Sequence, residues 1–213
     1  MKKGVIFDLD GTLLNTLYDL KNAVNYSLEK FGFQQRTLEE IRKAVGNGLK
    51  MLIKRSLPEG TSEGTVEAVL AEMKAYYALH CHDETVPYDG IIDMLRSLKA
   101  EGHSLAIVSN KADAMVQTLK RVFFDGLIDF ALGESQSYAR KPAPDMVFAA
   151  MDALGSNAIY IGDSEVDLLT AKNAGLPCLA VSWGFRSEAD LRSAGAENIY
   201  STVESLLAAI RAR

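Results

Sequence analysis

The stretch VIFDLDGT, residues 5–12, runs an apolar segment directly into two carboxylates and a glycine. Residues 4–9 have the apolar run of a short buried strand, which Gly11 ends. Asp8 and Asp10 are expected at the strand's carboxyl end, on one side, because strand side chains two apart point alike. Two carboxylates this close repel by roughly 4 kcal/mol at an effective dielectric constant near 20. The stretch predicts a cation or shared proton where open α/β sheets bind ligands; alone, it also fits an ordinary turn.

The composition is that of an ordinary globular protein. The chain has 213 residues, 48% hydrophobic and 24% charged, which suits one large domain or one domain with an insertion. Its net charge of −5 argues against a nucleic-acid or anionic-membrane surface, and no apolar run has the length of a membrane span. Cys81 and Cys178 belong to no Cys-x-x-Cys pair, so no disulfide framework or zinc site is predicted. We expect a cytoplasmic monomer or homodimer with no nucleic-acid or membrane partner.

The order of predicted elements indicates two domains. From Thr16 to about His82 the apolar spacing is helical, and four helices without a strand between them predict a small bundle. After Pro87, strands and helices alternate, as in a parallel sheet covered by helices on both faces. The predicted fold class is α/β, a Rossmann-like parallel sheet with an inserted α-helical domain. The α/β core takes residues 1–14 and 85–213, and the insertion takes residues 15–84.

Hydroxyl and acid residues three apart predict two helix starts. Thr37 with Glu40 has the spacing of a capping box and opens the second helix of the bundle. Ser201 with Glu204 has the same spacing and is predicted to open the last helix of the chain.

Polar residues follow three further predicted strands. Ser109 and Asn110 follow one strand, Lys141 lies in the loop after the next, and Asp163 follows a third, with Asp167 four residues on. Taken singly, each has a structural explanation as a helix cap, a solvated loop charge or a helix-start acid. Because the carboxyl ends of parallel strands share one edge of the sheet, we expect these side chains to converge with the first acid pair.

This set, in chain order an acid pair, a hydroxyl, a lysine and a second acid pair, resembles the four motifs of the haloacid dehalogenase superfamily. The resemblance covers essentially the whole chain. It implies a phosphatase that hydrolyses the phosphomonoester of a small metabolite through an aspartyl-phosphate, with Asp8 as nucleophile and Asp10 as general acid and base. An aspartate suits this role because its attack splits a difficult hydrolysis into two steps.

The resemblance also implies a magnesium site and a phosphate site. Asp8 and Asp163 would bind Mg²⁺ through their side chains and Asp10 through its backbone carbonyl, with Asp167 at or near the coordination shell. Mg²⁺ prefers such hard oxygen ligands. The non-bridging phosphate oxygens would be held by Thr12, Ser109, Asn110 and Lys141.

Within the superfamily, residues 162–167, 170–175 and 181–186 resemble phosphoglycolate phosphatases, which implies 2-phosphoglycolate as the substrate. The helical insertion resembles the cap of the first cap class, and residues 86–90 resemble its returning hinge. A bundle joined by two crossings of the chain can hinge. Asn15 departs from the family pattern, because many relatives have a further aspartate there.

Residues 46–50 are the part of the insertion that we expect to face the phosphate site. Their glycines allow close approach, and Asn47 or Lys50 could bind a carboxylate or hydroxyl of the substrate. The alternative is a loop-to-helix junction with an exposed Lys50. Trp183 is expected to pack instead of binding a ligand.

Other functions share this scaffold. A receiver domain of a signalling protein also gathers aspartates, a hydroxyl and a lysine at strand ends and would be a phospho-switch, but it needs no helical insertion. A dehalogenase has no need of a second aspartate as acid and base, so Asp10 argues against it. An inorganic pyrophosphatase and a sugar-phosphate phosphatase or mutase of the same superfamily remain alternatives.

Overall fold

The computed structural model describes residues 4–46, 48–155 and 157–213. Contacts divide the chain into two compact units, the described part of Met1–Asn15 with Pro87–Arg213, and Thr16–Val86. We call the first the α/β unit and the second the helical unit. A helix long and apolar enough for a membrane span is absent from these described residues.

Parallel strands form the framework of the α/β unit. The strands of the chain are Gly4–Phe7 (β1), Leu14–Asn15 (β2), Val86–Pro87 (β3), Leu105–Ala112 (β4), Phe130–Glu134 (β5), Ala158–Gly162 (β6), Cys178–Val181 (β7) and Ile199–Tyr200 (β8). A six-stranded sheet has the order β5-β4-β1-β6-β7-β8 with parallel neighbours, and β2 pairs with β3 in a two-stranded sheet. Helices pack on the large sheet, which confirms the predicted α/β fold class.

The helices follow the apolar periodicity of the sequence. They are Leu17–Lys30 (α1), Leu38–Ala44 (α2), Leu49–Ser56 (α3), Glu63–His80 (α4), Ile91–Ala100 (α5), Asp113–Phe123 (α6), Asp145–Leu154 (α7), Glu165–Asn173 (α8), Glu188–Ser193 (α9) and Val203–Arg211 (α10). The predicted capping box of Thr37 and Glu40 is present at the start of α2. The helices α1 to α4 make up the helical unit.

The predicted start of the last helix is wrong by one residue. Thr202 precedes α10, and its hydroxyl accepts the backbone N–H of Ser205, so Ser201 and Glu204 form no capping box there. Both hydroxyl residues could cap a helix, but the extended backbone of Thr202 directs its oxygen at the first turn. The elements α9 and β8 are absent from the prediction because six and two residues are too short for a periodic signal.

The strand β1 lies inside the large sheet, between β4 and β6. Its last residue, Phe7, is level with Ile107 of β4 and Ile161 of β6. The chain runs outward from β1 to β4 and β5 and then returns to the other side of β1 with β6. Such a reversal of strand order opens a crevice at the carboxyl ends of the strands. The residues after Phe7 therefore enter that crevice.

A buried acid fixes the end of the helical unit to its first helix. Asp19, in α1, is 2% exposed. Its carboxylate accepts the backbone N–H of Glu84 at 3.0 Å and that of Thr85 at 2.8 Å, and the hydroxyl of Thr85 donates to it at 2.7 Å. These bonds order the chain just before β3.

We predict that Asp19→Ala lowers the free energy of unfolding by about 3 kcal/mol, because it leaves the buried N–H and hydroxyl of Thr85 and the partly buried N–H of Glu84 without an acceptor. Urea unfolding followed by circular dichroism measures the change. Glu59→Ala, at an exposed position of the same unit, is the control and should be close to neutral. A loss below about 0.5 kcal/mol for Asp19→Ala would contradict the assigned role.

Candidate active site

Asp8 is the first residue beyond β1 and lies at the centre of the candidate site. Its backbone N–H donates to the carbonyl oxygen of Ile161 in β6 at 2.8 Å, so the residue stays fixed to the sheet. Its carboxylate is largely buried, and one oxygen lies 2.8 Å from the ammonium nitrogen of Lys141. The loop after β5 thus delivers a positive charge to the end of β1.

Three buried acids converge at this edge of the sheet. One carboxylate oxygen from each of Asp8, Asp163 and Asp167 lies within 4.8 Å of the others. Asp163 follows β6 directly; its Oδ1 accepts the hydroxyl of Thr12 at 3.1 Å and its Oδ2 accepts the backbone N–H of Phe185 at 2.7 Å. The loops after β1, β6 and β7 therefore all hold this carboxylate or lie against it.

Three glycines leave the space that these acids occupy. A Cβ at Gly11 would lie 2.4 Å from Oδ2 of Asp163, and a Cβ at Gly184 would lie 2.3 Å from the same atom. At Gly162, a Cβ would lie 2.3 Å from Cβ of Asp167. Real Cβ atoms do not approach other atoms this closely, so any side chain at these positions would displace an acid.

The chemistry of this donor set fits a hard divalent cation such as Mg²⁺. The three acids offer only oxygen atoms as metal ligands. The buried lysine Lys141 contacts two of these acids, Asp8 and Asp167. Asp8 accepts from Lys141 on one oxygen, and Asp163 accepts two hydrogen bonds. A carboxylate has about four acceptor positions, so both can still bind a metal ion.

Asp167 has a different environment, because its acceptor positions are occupied. One oxygen accepts from the Lys141 ammonium at 2.8 Å and from the Tyr160 hydroxyl at 3.1 Å, and the other accepts the N–H and hydroxyl of Ser164. Lys141 also donates to Tyr160 at 3.0 Å, so its three donors serve Asp8, Asp167 and Tyr160. This arrangement suits Asp167 for holding Lys141 in place.

The four residues predicted to bind phosphate lie in the same region, but most already use their side chains there. The hydroxyl of Thr12 donates to an acid, as described above. Asn110 donates to the backbone carbonyl of Lys141 at 3.0 Å and accepts its N–H at 2.8 Å. Ser109 is 2% exposed and accepts the backbone N–H of Lys111 at 3.2 Å. The amide of Asn110 therefore orients the lysine loop.

Asp10 has its own lysine partner. The ammonium nitrogen of Lys111 lies 2.9 Å from Oδ1 and 3.3 Å from Oδ2 of Asp10, and the two side chains are 4% and 22% exposed. The sequence predicts a cation or a shared proton at Asp8 and Asp10. In the structure each aspartate contacts an ammonium cation of its own, because β4 continues past Asn110 and brings Lys111 to the site.

Sequence reasoning missed Lys111 and Tyr160. The signal for Lys111 is its position two residues after Ser109, which puts both side chains on one side of an extended strand. The signal for Tyr160 is a hydroxyl in a fully buried strand, where a tyrosine usually finds a hydrogen-bond partner. Trp183, expected to pack, donates its indole N–H to the carbonyl of Thr12 at 3.1 Å.

Of the two residues proposed for substrate selection, Lys50 lies in α3 of the helical unit. Lys50 is half exposed, and its ammonium contacts Glu63 at 2.6 Å and also Glu67. Asn47 lies outside the described residues. The selection of substrate by these two residues stays a prediction.

Burial and mutual repulsion control the charge of the acids. Burial raises the pKa of Asp8 to about 7, against the attraction of Lys141 and with further repulsion from Asp167 and Asp10. Burial, Asp167 and Asp8 raise the pKa of Asp163 well above its ordinary value. Burial opposes the charge of Lys141, but Asp167 and Asp8 raise its pKa well above the usual range. The lysine stays charged, and the acids need a further positive charge to ionise fully.

We predict that Asp8→Asn stabilises the metal-free protein more at neutral than at acidic pH. The pKa of Asp8 is about 7 in the folded protein against an ordinary 3.8, so the folded state keeps a proton that the unfolded chain loses between these values. The free energy of unfolding of the wild type therefore falls as the pH rises through this range, by up to about 4 kcal/mol. Asp8→Asn removes this loss.

Urea unfolding in a chelator, from about pH 4 to about pH 8, measures the difference between the two proteins. Asp93→Asn, with a side chain that is 85% exposed, is the control. A difference for Asp8→Asn that does not grow with pH would contradict the raised pKa.

Comparisons with known proteins agree with this geometry. Residues 5–181 match the model of the family described as haloacid dehalogenase-like hydrolase. The phosphoglycolate phosphatase of Pseudomonas fluorescens (strain Pf0-1) is 35% identical in an alignment 191 residues long that covers 85% of this chain and 70% of that protein. The phosphoglycolate phosphatase of Colwellia psychrerythraea is 31% identical in an alignment 220 residues long, gaps included, that covers 99% of this chain and 97% of that protein.

A solved structure extends the similarity to the fold. A protein from Lactobacillus delbrueckii subsp. bulgaricus, provisionally named a phosphoglycolate phosphatase, is 40% identical with a TM-score of 0.93, and the match covers 99% of both chains. The family match over most of the chain, the two relatives and this shared fold lead to one assignment. The chain belongs to the haloacid dehalogenase-like hydrolase family.

Proposed function

We propose that the chain is a Mg²⁺-dependent phosphomonoester hydrolase that acts on 2-phosphoglycolate through an aspartyl-phosphate. The contact between Asp8 and Lys141 is the main support, since the carboxylate that would be the nucleophile lies beside a buried cation within a cluster of acids. The names of the relatives support the substrate.

The metal ion would be held by Asp8, Asp163 and the backbone carbonyl of Asp10. When bound, it supplies positive charge that lets an anionic nucleophile approach an anionic phosphate. Asp167 would act on the site through Lys141, because its own oxygens are occupied.

In the first step, a carboxylate oxygen of Asp8 attacks phosphorus. The new Asp8 O–P bond forms as the P–O bond to the alcohol breaks, and the departing oxygen takes a proton from the carboxyl group of Asp10. Lys141, Ser109 and backbone N–H groups would stabilise the non-bridging oxygens, where charge lies in the transition state.

In the second step, water hydrolyses the intermediate. Asp10, now a carboxylate, takes a proton from the water whose oxygen bonds to phosphorus, and the Asp8 O–P bond breaks. The electron pair returns to Asp8, phosphate leaves, and Asp10 is again protonated. The sum of the two steps is ester and water going to alcohol and phosphate.

The helical unit is proposed as the cap of this enzyme. The chain enters it after Asn15 and leaves it at Val86, which allows hinge motion about two crossings. Asn47 and Lys50 would then select the organic part of the substrate.

We predict phosphate release from 2-phosphoglycolate that a chelator abolishes and Mg²⁺ restores, because the buried acids need a cation to ionise. A colorimetric phosphate assay over a panel of esters measures it, with pyrophosphate and glucose 1-phosphate as competing substrates. A preference for either competitor would reassign the substrate. Full activity in thoroughly metal-free protein would contradict the metal-dependent mechanism.

We predict that Asp8→Asn forms no phosphoenzyme, because an amide oxygen is a far weaker nucleophile than a carboxylate. Asp10→Asn keeps the nucleophile but loses proton transfer, which is worth typically 10²–10⁴-fold. An aryl phosphate has a leaving group that needs little protonation, so label should accumulate on Asp8 in this variant.

Intact-protein mass spectrometry after rapid quench, with peptide mapping, detects that label. Label on Asp10 would overturn the assignment of the nucleophile. If neither variant carries label, direct attack by water becomes the better mechanism. A wild-type phosphoenzyme that persists without turnover would instead indicate a receiver-like switch.

A further inference from the structure

We propose that Lys111 is a positioning residue for Asp10, which it holds in place to take a proton from water when the aspartyl-phosphate is hydrolysed. This inference rests on the proposed function and deepens it. It adds a second lysine, with a role distinct from that of Lys141.

The contact between Lys111 and Asp10 is a well-defined one. The ammonium nitrogen lies 2.9 Å and 3.3 Å from the two carboxylate oxygens, although 101 residues separate the pair in sequence. The Lys111 side chain is only 4% exposed, so its ammonium group is largely removed from water and needs close hydrogen-bond acceptors. A surface ion pair would lack this constraint.

The backbone of β4 fixes the start of the Lys111 side chain. The pairing of β4 with β5 shifts between Val108 and Ala112, and the N–H of Lys111 donates to the Ser109 hydroxyl at 3.2 Å. In β5, a Cβ at Gly133 would lie 2.6 Å from the carbonyl oxygen of Lys111. This close packing fixes the backbone from which the lysine side chain reaches Asp10.

The pair separates Asp10 from the other acids. The close group of carboxylates contains Asp8, Asp163 and Asp167, whereas the Asp10 side chain turns to Lys111. A cation bound by the group would attract a further carboxylate, and an aspartate that binds metal through its side chain cannot take a proton from water. Lys111 therefore keeps the Asp10 carboxylate available.

The choice of an aryl phosphate separates the two steps. Lys111 contacts both carboxylate oxygens of Asp10 and so holds the whole group in one orientation. An aryl leaving group needs little protonation, whereas the attacking water needs a correctly placed base. Loss of Lys111 should slow the hydrolysis of the intermediate more than its formation.

The test is Lys111→Met, with rapid-quench mass spectrometry and steady-state kinetics on an aryl phosphate. We expect hydrolysis of the intermediate to slow by about 10- to 100-fold, part of the usual contribution of proton transfer. Label should accumulate on Asp8, and kcat and KM should fall together while kcat/KM changes little, because the slowed step follows the formation of the intermediate. Lys111→Arg should restore turnover. Lys99→Met, which removes a lysine paired with Asp129 at 2.6 Å in the same unit, is the control and should behave as wild type.

Circular dichroism and thermal unfolding check that the variants fold, and Lys111→Gln replaces the Met variant if that one does not. A raised KM with unchanged hydrolysis would make Lys111 a substrate ligand and overturn the inference. Equal slowing of both steps would also overturn it. If phosphate label accumulates in Asp10→Asn but not in the Lys111 variant, the inference about Lys111 is rejected and the proposed function stands. If neither variant accumulates label, both the aspartyl-phosphate route and the inference about Lys111 are rejected.

Discussion

The buried ammonium group of Lys141 is the contact on which the rest of the site depends. It lies 2.8 Å from carboxylates of both Asp8 and Asp167, and its side chain is 3% exposed. A charge removed from water in this way is tolerated only when its partners and hydrogen bonds are complete. Tyr160 supplies the third acceptor, and Asn110 fixes the lysine backbone. Residues at the end of β1, in the middle of β6, in β4 and at the start of α8 thus all bind Lys141.

Asp8 and Asp10 each pair with a different lysine. Lys141 contacts Asp8 within the acid cluster, and Lys111 contacts Asp10 outside that cluster. In the proposed mechanism the nucleophile must contact phosphorus, whereas the acid and base must reach the leaving oxygen or water, so the two carboxylates need different directions although only Leu9 separates them. One carboxylate pairs with a lysine in the loop after β5 and the other with a lysine in β4, so the two ion pairs orient them separately.

The sequence predicts the sheet, the bundle and the acids at strand ends because these depend on local periodicity and on the shared edge of parallel strands. It does not predict the pairs that form within the site. Whether Lys111 faces Asp10 depends on how far β4 extends, and the apolar run ends at Val108, before the lysine. The sequence identifies Tyr160 only as a buried residue of β6, because its partner Lys141 comes from a loop that is distant in sequence. Side-chain partners distant in sequence leave no local signal.

The acid cluster holds more carboxylates than its lysine can pair with. Three carboxylates lie close together, Lys141 contacts two of them, and burial raises the pKa of Asp8 and Asp163. Glycines at positions 11, 162 and 184 bring the backbone so close that no side chain could fill the space around these acids. In the proposed reaction a divalent cation supplies the missing charge. Because Asp167 and Tyr160 retain two of the Lys141 donors, the third can pass from Asp8 to a phosphate oxygen as the carboxylate becomes an acyl phosphate. The lysine would then follow the negative charge without losing its buried partners.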